Sequence, residues 1–358
     1  MGIDQEAPQK STLQKNVKKI QPQTWEAINR MLVVAASEKG IEKGVLVRTD
    51  CTVVESNIHA PTDATLLYDS VRVLVRFMRE SRKSFGFDFV SHERSAKRQA
   101  LAVRNAKSFE KRIPHYRILL KSTKKTVRIA ESIESRIDRL KLKRPADDER
   151  RQRLAAQIRH HIDLTKNVIE QAERRVFRKE SVPAGEKVVS IFEPHTDIIV
   201  KGRRDTHYGH KICLTTGKSG IVTDVVVEDG NPADSTLAVR MMERQREIYG
   251  KAPRQASFDG GFATRDNLVD IKKLGVKDVA FAKRRGIEIT EMVKSTWVYR
   301  KLRNFRAGVE GGISFLKRVF GLDRCTWSGF DSFKSYVCSS VLACNLLIIA
   351  RHLLPNSS

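Results

Sequence analysis

Three acidic residues stand in local sequences that suit the binding of a catalytic divalent cation. Asp50 ends the run 44–49, Asp259 ends the run 255–258, and Glu310 lies in the basic stretch 303–309, which has helical character. Carboxylate oxygens are preferred ligands of Mg²⁺, and a pair of such ions activates an attacking oxygen while stabilising a leaving one. Two acids at strand ends and one on a helix therefore predict phosphodiester chemistry.

A simpler interpretation exists for each acid, because the chain has 42 Asp and Glu residues. An Asp after a short strand is commonly a turn former or a helix cap. Glu310 has a more specific setting, with Arg306 four residues before it and Lys317 seven residues after it. On a helix these three side chains share one face. They could bind metal and phosphate there, or form surface ion pairs.

The charge of the chain selects a class of partner. The chain has 67 Lys and Arg residues, a formal net charge of +25 and a pI of about 10.0. Such an excess attracts polyanions and makes nucleic-acid binding salt-sensitive. DNA or RNA is the expected partner, although a ribosome-associated or membrane-surface protein would share this charge.

Cysteine usage and the ends of the chain predict an intracellular setting. The five cysteines contain no Cys-x-x-Cys pair, which argues against a zinc site or a disulfide framework. Residues 1–6 lack the features of a signal peptide, so we expect a reducing cytoplasm and no membrane. The apolar run 337–350 is shorter than the roughly 20 residues that span a bilayer and is predicted to be a buried helix.

Hydrophobic periodicity predicts an α/β protein with a helical insertion. Predicted helices are Trp25–Ser37 after an N-cap at Thr24, Asp63–Glu80, Ser235–Tyr249 and Thr264–Leu274. Predicted strands are Val45–Arg48, Val188–Phe192, His210–Thr215, Ile221–Val227, Gln255–Phe258 and Asp278–Phe281, with a turn at 217–220. This alternation indicates a mixed sheet flanked by helices.

The segment 91–180 has helical periodicity and no strand pattern. A break at 143–148, which contains Pro145, divides it into an antiparallel helical hairpin. The predicted domains are thus a helical remnant at 1–40, a sheet domain at 41–90 and 181–354, and an inserted hairpin at 91–180. The hairpin's cations either contact DNA or are simply solvated, and the sequence leaves both open.

Several ordered blocks resemble the DDE transposases of bacterial insertion sequences. The blocks are Arg48-Thr49-Asp50 with its continuation to Asp63, Tyr208-Gly209-His210-Lys211, Gly230-Asn231-Pro232-Ala233-Asp234, Phe258-Asp259-Gly260-Gly261-Phe262, and the Arg306, Glu310 and Lys317 triple. The triple matches the Arg, Glu and Lys of the family's Tyr-Arg-Glu-Lys signature. The resemblance extends over roughly residues 11–354.

The resemblance implies a ribonuclease H-like fold in which Asp50, Asp259 and Glu310 bind Mg²⁺, with Mn²⁺ able to substitute. It also implies a homodimer on DNA, with the element ends and a target as substrates, in the bacterial cytoplasm at the nucleoid. The implied DNA-binding residues are Arg306, Lys317, Arg303, His210 and Lys211. A histidine on a strand is, alternatively, a structural residue.

The chain departs from the family pattern at three places. Arg303 stands at the signature's Tyr position, and Gly260 stands where many relatives carry a basic residue. Ser11–Lys15 resembles only the end of the family's amino-terminal domain, which predicts a copy lacking most of that domain. The alternative functions are a nuclease of the same fold and a catalytically silent, transposase-derived DNA-binding protein. A purely structural basic protein would not explain the ordered blocks.

Overall fold

The structure is a computed structural model that describes residues 9–201 and 205–354. Parts of the predicted 1–40 and 181–354 regions, namely residues 1–8 and 202–204, lie outside the described residues. The helices are α1 Lys10–Val17, α2 Pro22–Glu38, α3 Asp63–Phe85, α4 Glu93–Asn105, α5 Phe109–Asp138, α6 Pro145–Ala172, α7 Ala238–Tyr249, α8 Arg265–Lys273, α9 Ile289–Met292, α10 Thr296–Phe320 and α11 Phe330–Leu353. The strands are β1 Leu46–Glu55, β2 Asp197–Lys201, β3 Asp205–Gly217, β4 Val222–Val227, β5 Gln255–Phe258 and β6 Asp278–Phe281.

The six strands form one mixed sheet in the order β2-β3-β1-β5-β6, with β4 also paired to β3. β3 is antiparallel to β1, β2 and β4, whereas β1, β5 and β6 run parallel to one another. An antiparallel meander joined to a parallel set, with helices flanking the sheet, is a ribonuclease H-like arrangement. The predicted fold class is confirmed, and the long helical segment enters after β1 as expected.

Apolar side chains cover both faces of the sheet. Along β3, Cys213 joins one hydrophobic cluster while Ile212 and Leu214 join another, as expected where successive side chains point to opposite faces. One cluster packs α7, α8 and α10 around Phe258 and Phe281. The other packs α10 and α11 against β3 and β4. Together with the sheet these helices belong to a compact unit made of Met1–Asn57 and Asp197–Ser358.

A second compact unit, Ile58–Thr196, is helical and has its own hydrophobic core. Helices α5 and α6 form the predicted hairpin, and their ion pairs Glu131–Lys166 and Glu134–Arg159 show that they run antiparallel. α6 begins with Pro145 in its first turn, as predicted. The unit's limits differ from the predicted 91–180, because the apolar stripe of α3 packs into the helical core.

Two predicted strands differ from the structure. The segment 188–192 is irregular, because Gln171 satisfies its backbone: Gln171 donates to the Val188 carbonyl and accepts from the Val188 N–H. β1 extends to Glu55 because β3 is long enough to pair with it throughout. Asp50 therefore lies inside β1 and not at its end.

The carboxy-terminal apolar helix is also longer than predicted. α11 has 24 residues, and by length and composition alone it could cross a membrane. Half of its most apolar 18-residue stretch is buried, however, and Asn345 is fully buried. The Asn345 amide accepts from the Val222 N–H and donates to the Val222 carbonyl and to Asn29. These bonds tie α11 to β4 and α2, as expected for the core helix of a folded unit.

Candidate active site

Strand register places Asp50 and Asp259 side by side. In the parallel ladder between β1 and β5, Thr49 pairs with Phe258, so the next residue on each strand is an acid. Asp259 lies at the end of β5, as predicted, and precedes a short 3-10 turn at Gly260–Phe262. One Asp50 oxygen accepts a 2.8 Å hydrogen bond from the Cys51 N–H.

The guanidinium of Arg306 contacts all three predicted acids. Its Nη2 lies 3.3 Å from Asp50 Oδ2 and 3.1 Å from Asp259 Oδ1, and its Nη1 lies 3.8 Å from Glu310 Oε1. The side chains become more exposed from Asp50 (15%) through Asp259 (40%) to Glu310 (74%). Acids separated by 209 and 51 positions in the sequence therefore meet around one cation, where β1 and the end of β5 face α10.

Asp50 is the most enclosed of the three acids. Burial raises its pKa, and the negative charge of Asp259 acts in the same direction. The positive charge of Arg306 and the Cys51 N–H lower the pKa and oppose these effects. The net shift is upward, so the Asp50 carboxylate is an electrostatically unfavourable charge that a neighbouring cation stabilises.

Arg48 holds helix α10 against the sheet. Its Nη1 donates to the Phe305 carbonyl (2.7 Å), its Nε donates to Thr216 Oγ1 (2.9 Å), and its guanidinium lies 4.7 Å from the centre of the Phe305 ring. A Cβ at Gly308 would come within 2.4 Å of Arg48 Nη1. Ser257 adds a second tie by donating to the Leu302 carbonyl (3.0 Å). These contacts fix the turns of α10 that carry Arg306 and Glu310.

Sequence reasoning missed this role of Arg48, although a signal was present. Arg48 stands two residues before Asp50, so on a strand both side chains leave the same face. A long cation beside a predicted metal-binding acid could have been assigned to the same site.

Lys211 is bound to the 232–234 loop, which lies between β4 and α7. Its Nζ donates to the Pro232 carbonyl (2.6 Å) and to Asp234 (2.9 Å), and its side chain is 13% exposed. A Cβ at Gly261 would lie 2.7 Å from Asp234 Oδ2. The lysine thus joins two of the sequence blocks to each other, and its contact with DNA stays a prediction.

His210 is likewise structural. It is fully buried, its Nδ1 lies 2.9 Å from Asp197 Oδ2, and its ring packs against Phe330 and Phe333. The ring is enclosed in this conformation, and the predicted DNA contact stays a prediction. The alternative interpretation, a satisfied structural histidine, fits these contacts.

The remaining predicted cations lie at the surface of the site. Arg303 is exposed on α10, one turn before Arg306. Lys317 lies 3.3 Å from Asp323 and lines an open depression with Asp50 and Glu310. A further cation that the sequence did not reveal is Lys283.

Lys283 packs against Gly260, the residue that follows Asp259. It is exposed, and a Cβ at Gly260 would come within 2.7 Å of its Cβ. The side chain therefore crosses the small residue that follows Asp259. The basic group near Asp259 is therefore Lys283, which follows β6. Position 260, where many relatives carry a basic residue, is glycine in this chain.

The three acids fit a hard divalent cation by their chemistry, since all their donor atoms are oxygens. In the part of the chain that the structure describes, no group of three metal-ligating side chains is arranged to hold an ion. The guanidinium of Arg306 supplies the positive charge between the acids, and its buried Nε has no hydrogen-bond partner among the described residues. The site thus has carboxylate oxygens that could bind a cation, and Arg306 contacts all three carboxylates.

Comparison with known protein families decides the class of this domain. Residues 193–346 match the family model described as "Transposase DDE domain". Residues 193–346 are a transposase DDE domain. The match includes Asp259, Arg306 and Glu310, whereas Asp50 precedes it and joins the site through the pairing of β1 with β3 and β5.

Comparison with curated proteins and with solved structures gives no match. The assignment of residues 193–346 as a transposase DDE domain therefore rests on the family model and on the ribonuclease H-like sheet, and the two findings agree. A transposase domain of this kind implies a DNA-processing enzyme that binds DNA.

Proposed function

We propose that this chain is a DNA transposase that cleaves the ends of an insertion sequence and joins them to target DNA. The observation that carries the proposal is the contact of one guanidinium, that of Arg306, with Asp50, Asp259 and Glu310. Three acids from two strands and a helix have no structural need to meet around one guanidinium. A site for phosphoryl transfer requires them to do so.

In this proposal Asp50, Asp259 and Glu310 are the metal-binding acids. Bound Mg²⁺ or Mn²⁺ would supply charge neutralisation and an activated water at neutral pH. The acids supply the site's negative charge, and Arg48 and Ser257 keep α10 in register with β1 and β5. No nucleophilic side chain is needed, because phosphoryl transfer depends on positioning and on charge.

The cations around the acids are proposed to hold phosphate groups. Arg303, Lys317 and Lys283 are suited to this role because they flank the acids from α10 and from the end of β6. Arg306 is mainly occupied by the acids and acts as a positioning residue. A homodimer on DNA and a place at the bacterial nucleoid in the cytoplasm complete the proposal.

Two alternatives use the same fold. A nuclease would use the same acids and only hydrolyse, and a silent DNA-binding protein would bind without reacting. The retention of all three acids around Arg306 favours an enzyme. The joining of a cut end to a second DNA distinguishes the transposase from both.

The experiment uses the full chain, a labelled duplex made from the DNA that flanks the gene, an unlabelled target plasmid and Mg²⁺. A transposase yields labelled plasmid, in which the cut end is covalently joined to the target. Labelled fragments without joined product would identify a nuclease. Shifted but uncut duplex would identify the silent binder, and either of these results would overturn the proposal.

A further inference from the structure

Positive charge is concentrated in one part of the helical unit. Residues 94–128, in α4 and the first part of α5, contain 12 Lys and Arg residues and one acid, Glu110. Residues 145–172, which form α6, contain five Lys and Arg residues and five acids. The overall excess of positive charge is therefore uneven, and a solvated face of ordinary composition would resemble α6.

The cations of the 94–128 segment are exposed and mostly unpaired. Eleven of the 12 are exposed, and Arg112 is the exception. Among these eleven, within the described ranges 9–201 and 205–354, only Lys124 has an ion pair, which it forms with Glu173. On α6, by contrast, four of the five cations pair with acids. The paired residues are Arg150, Arg151, Arg159 and Lys166.

The cations of α5 form one row. Lys111, Arg117, Lys121, Lys125 and Arg128 recur at intervals of three to six residues, on the side opposite the buried positions. The buried positions of this stretch are Tyr116, Leu119, Leu120, Ser122, Thr123, Thr126, Val127 and Ala130. At 1.5 Å per residue, the row from Lys111 to Arg128 is about 26 Å long.

A second row lies on α4, and polar contacts lock the two helices together. Gln99 Oε1 lies 2.8 Å from His115 Nδ1, and the Ser95 and Ser122 hydroxyls are 3.3 Å apart. These pairs show that α4 and α5 run antiparallel. Helix α4 is therefore held beside the α5 row, and it carries four exposed cations, Arg94, Lys97, Arg98 and Arg104.

We propose that the exposed cations of α4 and of α5 up to Arg128 form a binding surface for the phosphate backbone of duplex DNA. Like charges three and four residues apart repel each other on a helix, and that repulsion is relieved when each charge faces a phosphate. We expect this binding to be independent of sequence, because contacts between cations and phosphates carry no sequence information. This inference rests on the proposed action on DNA, but it concerns residues remote in sequence from the three acids.

The test compares two full-length variants that each lose four positive charges from the same helical unit. The first carries Lys111→Gln, Arg117→Gln, Lys121→Gln and Lys125→Gln on the proposed surface. The matched control carries Arg150→Gln, Arg153→Gln, Arg159→Gln and Lys166→Gln on α6. A third protein, with the first four positions exchanged between Lys and Arg, keeps the charge.

Affinity for a random-sequence duplex is measured over a series of salt concentrations. Each phosphate contact contributes about −0.9 to the slope of log affinity against log salt, so losing four contacts should reduce the slope by about 3.6. Between about 50 and 200 mM salt, the wild type should then lose about 150-fold more affinity than the first variant. The α6 control and the charge-keeping protein should retain the wild-type slope.

The proposal would be overturned if the first variant kept the wild-type slope. It would also be overturned if the slope of the α6 control fell as much as that of the first variant. A loss seen with a single-stranded probe and not with the duplex would overturn it as well. The joining assay separates this failure from failure of the proposed function. If the wild type joins DNA and the first variant keeps the wild-type slope, only the proposed surface is refuted. If the first variant has a reduced slope and the wild type joins no DNA, only the transposase function is refuted.

Discussion

At the scale of single residues, Arg306 determines the electrostatics of the site. It is 17% exposed and contacts three carboxylates, of which Asp50 is enclosed enough that burial raises its pKa. Without the guanidinium, the Asp50 and Asp259 carboxylates would face each other with no cation between them. A divalent cation would then be the natural replacement for the missing charge.

We therefore expect Arg306→Ala to lower the free energy of unfolding by about 2 kcal/mol, less than for a fully buried pair because Asp259 and Glu310 are partly solvated. Millimolar Mg²⁺ should restore part of the melting temperature, because an ion that binds only the folded state stabilises it. Arg303→Ala, three residues earlier and exposed, is the control and should change neither quantity. Equal Mg²⁺ effects on the wild type and both variants would refute this account of Arg306.

At the scale of elements, the register of α10 on the sheet positions the acid that comes from a helix. Gly308 allows Arg48 to reach the Phe305 carbonyl, whereas Gly311 and Gly312, one turn later, have open space where a Cβ would be. A helix interior normally gains stability when Gly is replaced by Ala. The two positions should therefore respond differently to the same substitution.

Gly311→Ala should raise the free energy of unfolding by about 0.5–1 kcal/mol. Gly308→Ala should show no such gain, because the new methyl group displaces Arg48 and removes a hydrogen bond worth about 1 kcal/mol. Thermal or urea denaturation of both variants measures the difference. A gain at Gly308 equal to that at Gly311 would mean that the Arg48 contact does not hold α10.

Periodicity predicted most elements, because the stripes of α3, α5 and α6 and the short runs of β5 and β6 each carry a local signal. The 188–192 segment was assigned wrongly because its apolar residues enter the helical core while Gln171 satisfies its backbone. The end of β1 depended on the length of β3, a long-range property. Local sequence contains no information of that kind.

The site was predictable in its acids and less so in its cations. Asp259 and Glu310 stand in distinctive local sequence. The pairing of β1 with β5 brings Asp50 and Asp259 together, and the contacts of α10 with the sheet bring Glu310 to them. The enclosure of His210 and Lys211 could not be predicted, because burial is decided by tertiary packing: α11 covers His210, and the Pro232 carbonyl accepts from the amine of Lys211. Arg48 and Lys283 act through contacts between elements, which spacing alone does not reveal.

At the scale of the whole molecule, the chain consists of two compact units with separate cores. The helical core is built from residues between Ala64 and Ile191, all within Ile58–Thr196. A unit that buries its apolar residues among themselves contains the interactions needed for its own stability. The sheet unit is formed from segments on either side of it in the sequence.

Residues 58–196 expressed alone should accordingly be folded. We expect helical circular dichroism and one cooperative thermal transition, because the core of α3–α6 is complete without the sheet. A chain that starts at residue 91, the predicted boundary, is the control and should lose cooperativity, since it lacks α3. A non-cooperative transition for 58–196 would show that its core depends on the sheet unit.

The central claim is that Asp50, Asp259 and Glu310 form one metal-dependent site for DNA cleavage. The most direct measurement is the Mg²⁺-dependent cleavage rate on duplex carrying the gene's flanking DNA, for Asp50→Asn, Asp259→Asn and Glu310→Gln. Asp266→Asn, an exposed acid on α8, is the control. Each of the three site variants should abolish cleavage. DNA affinity should stay equal or rise slightly in these variants, because an acid near phosphates repels them. The control variant should cleave normally. Undiminished cleavage by any one of the three variants would contradict the account.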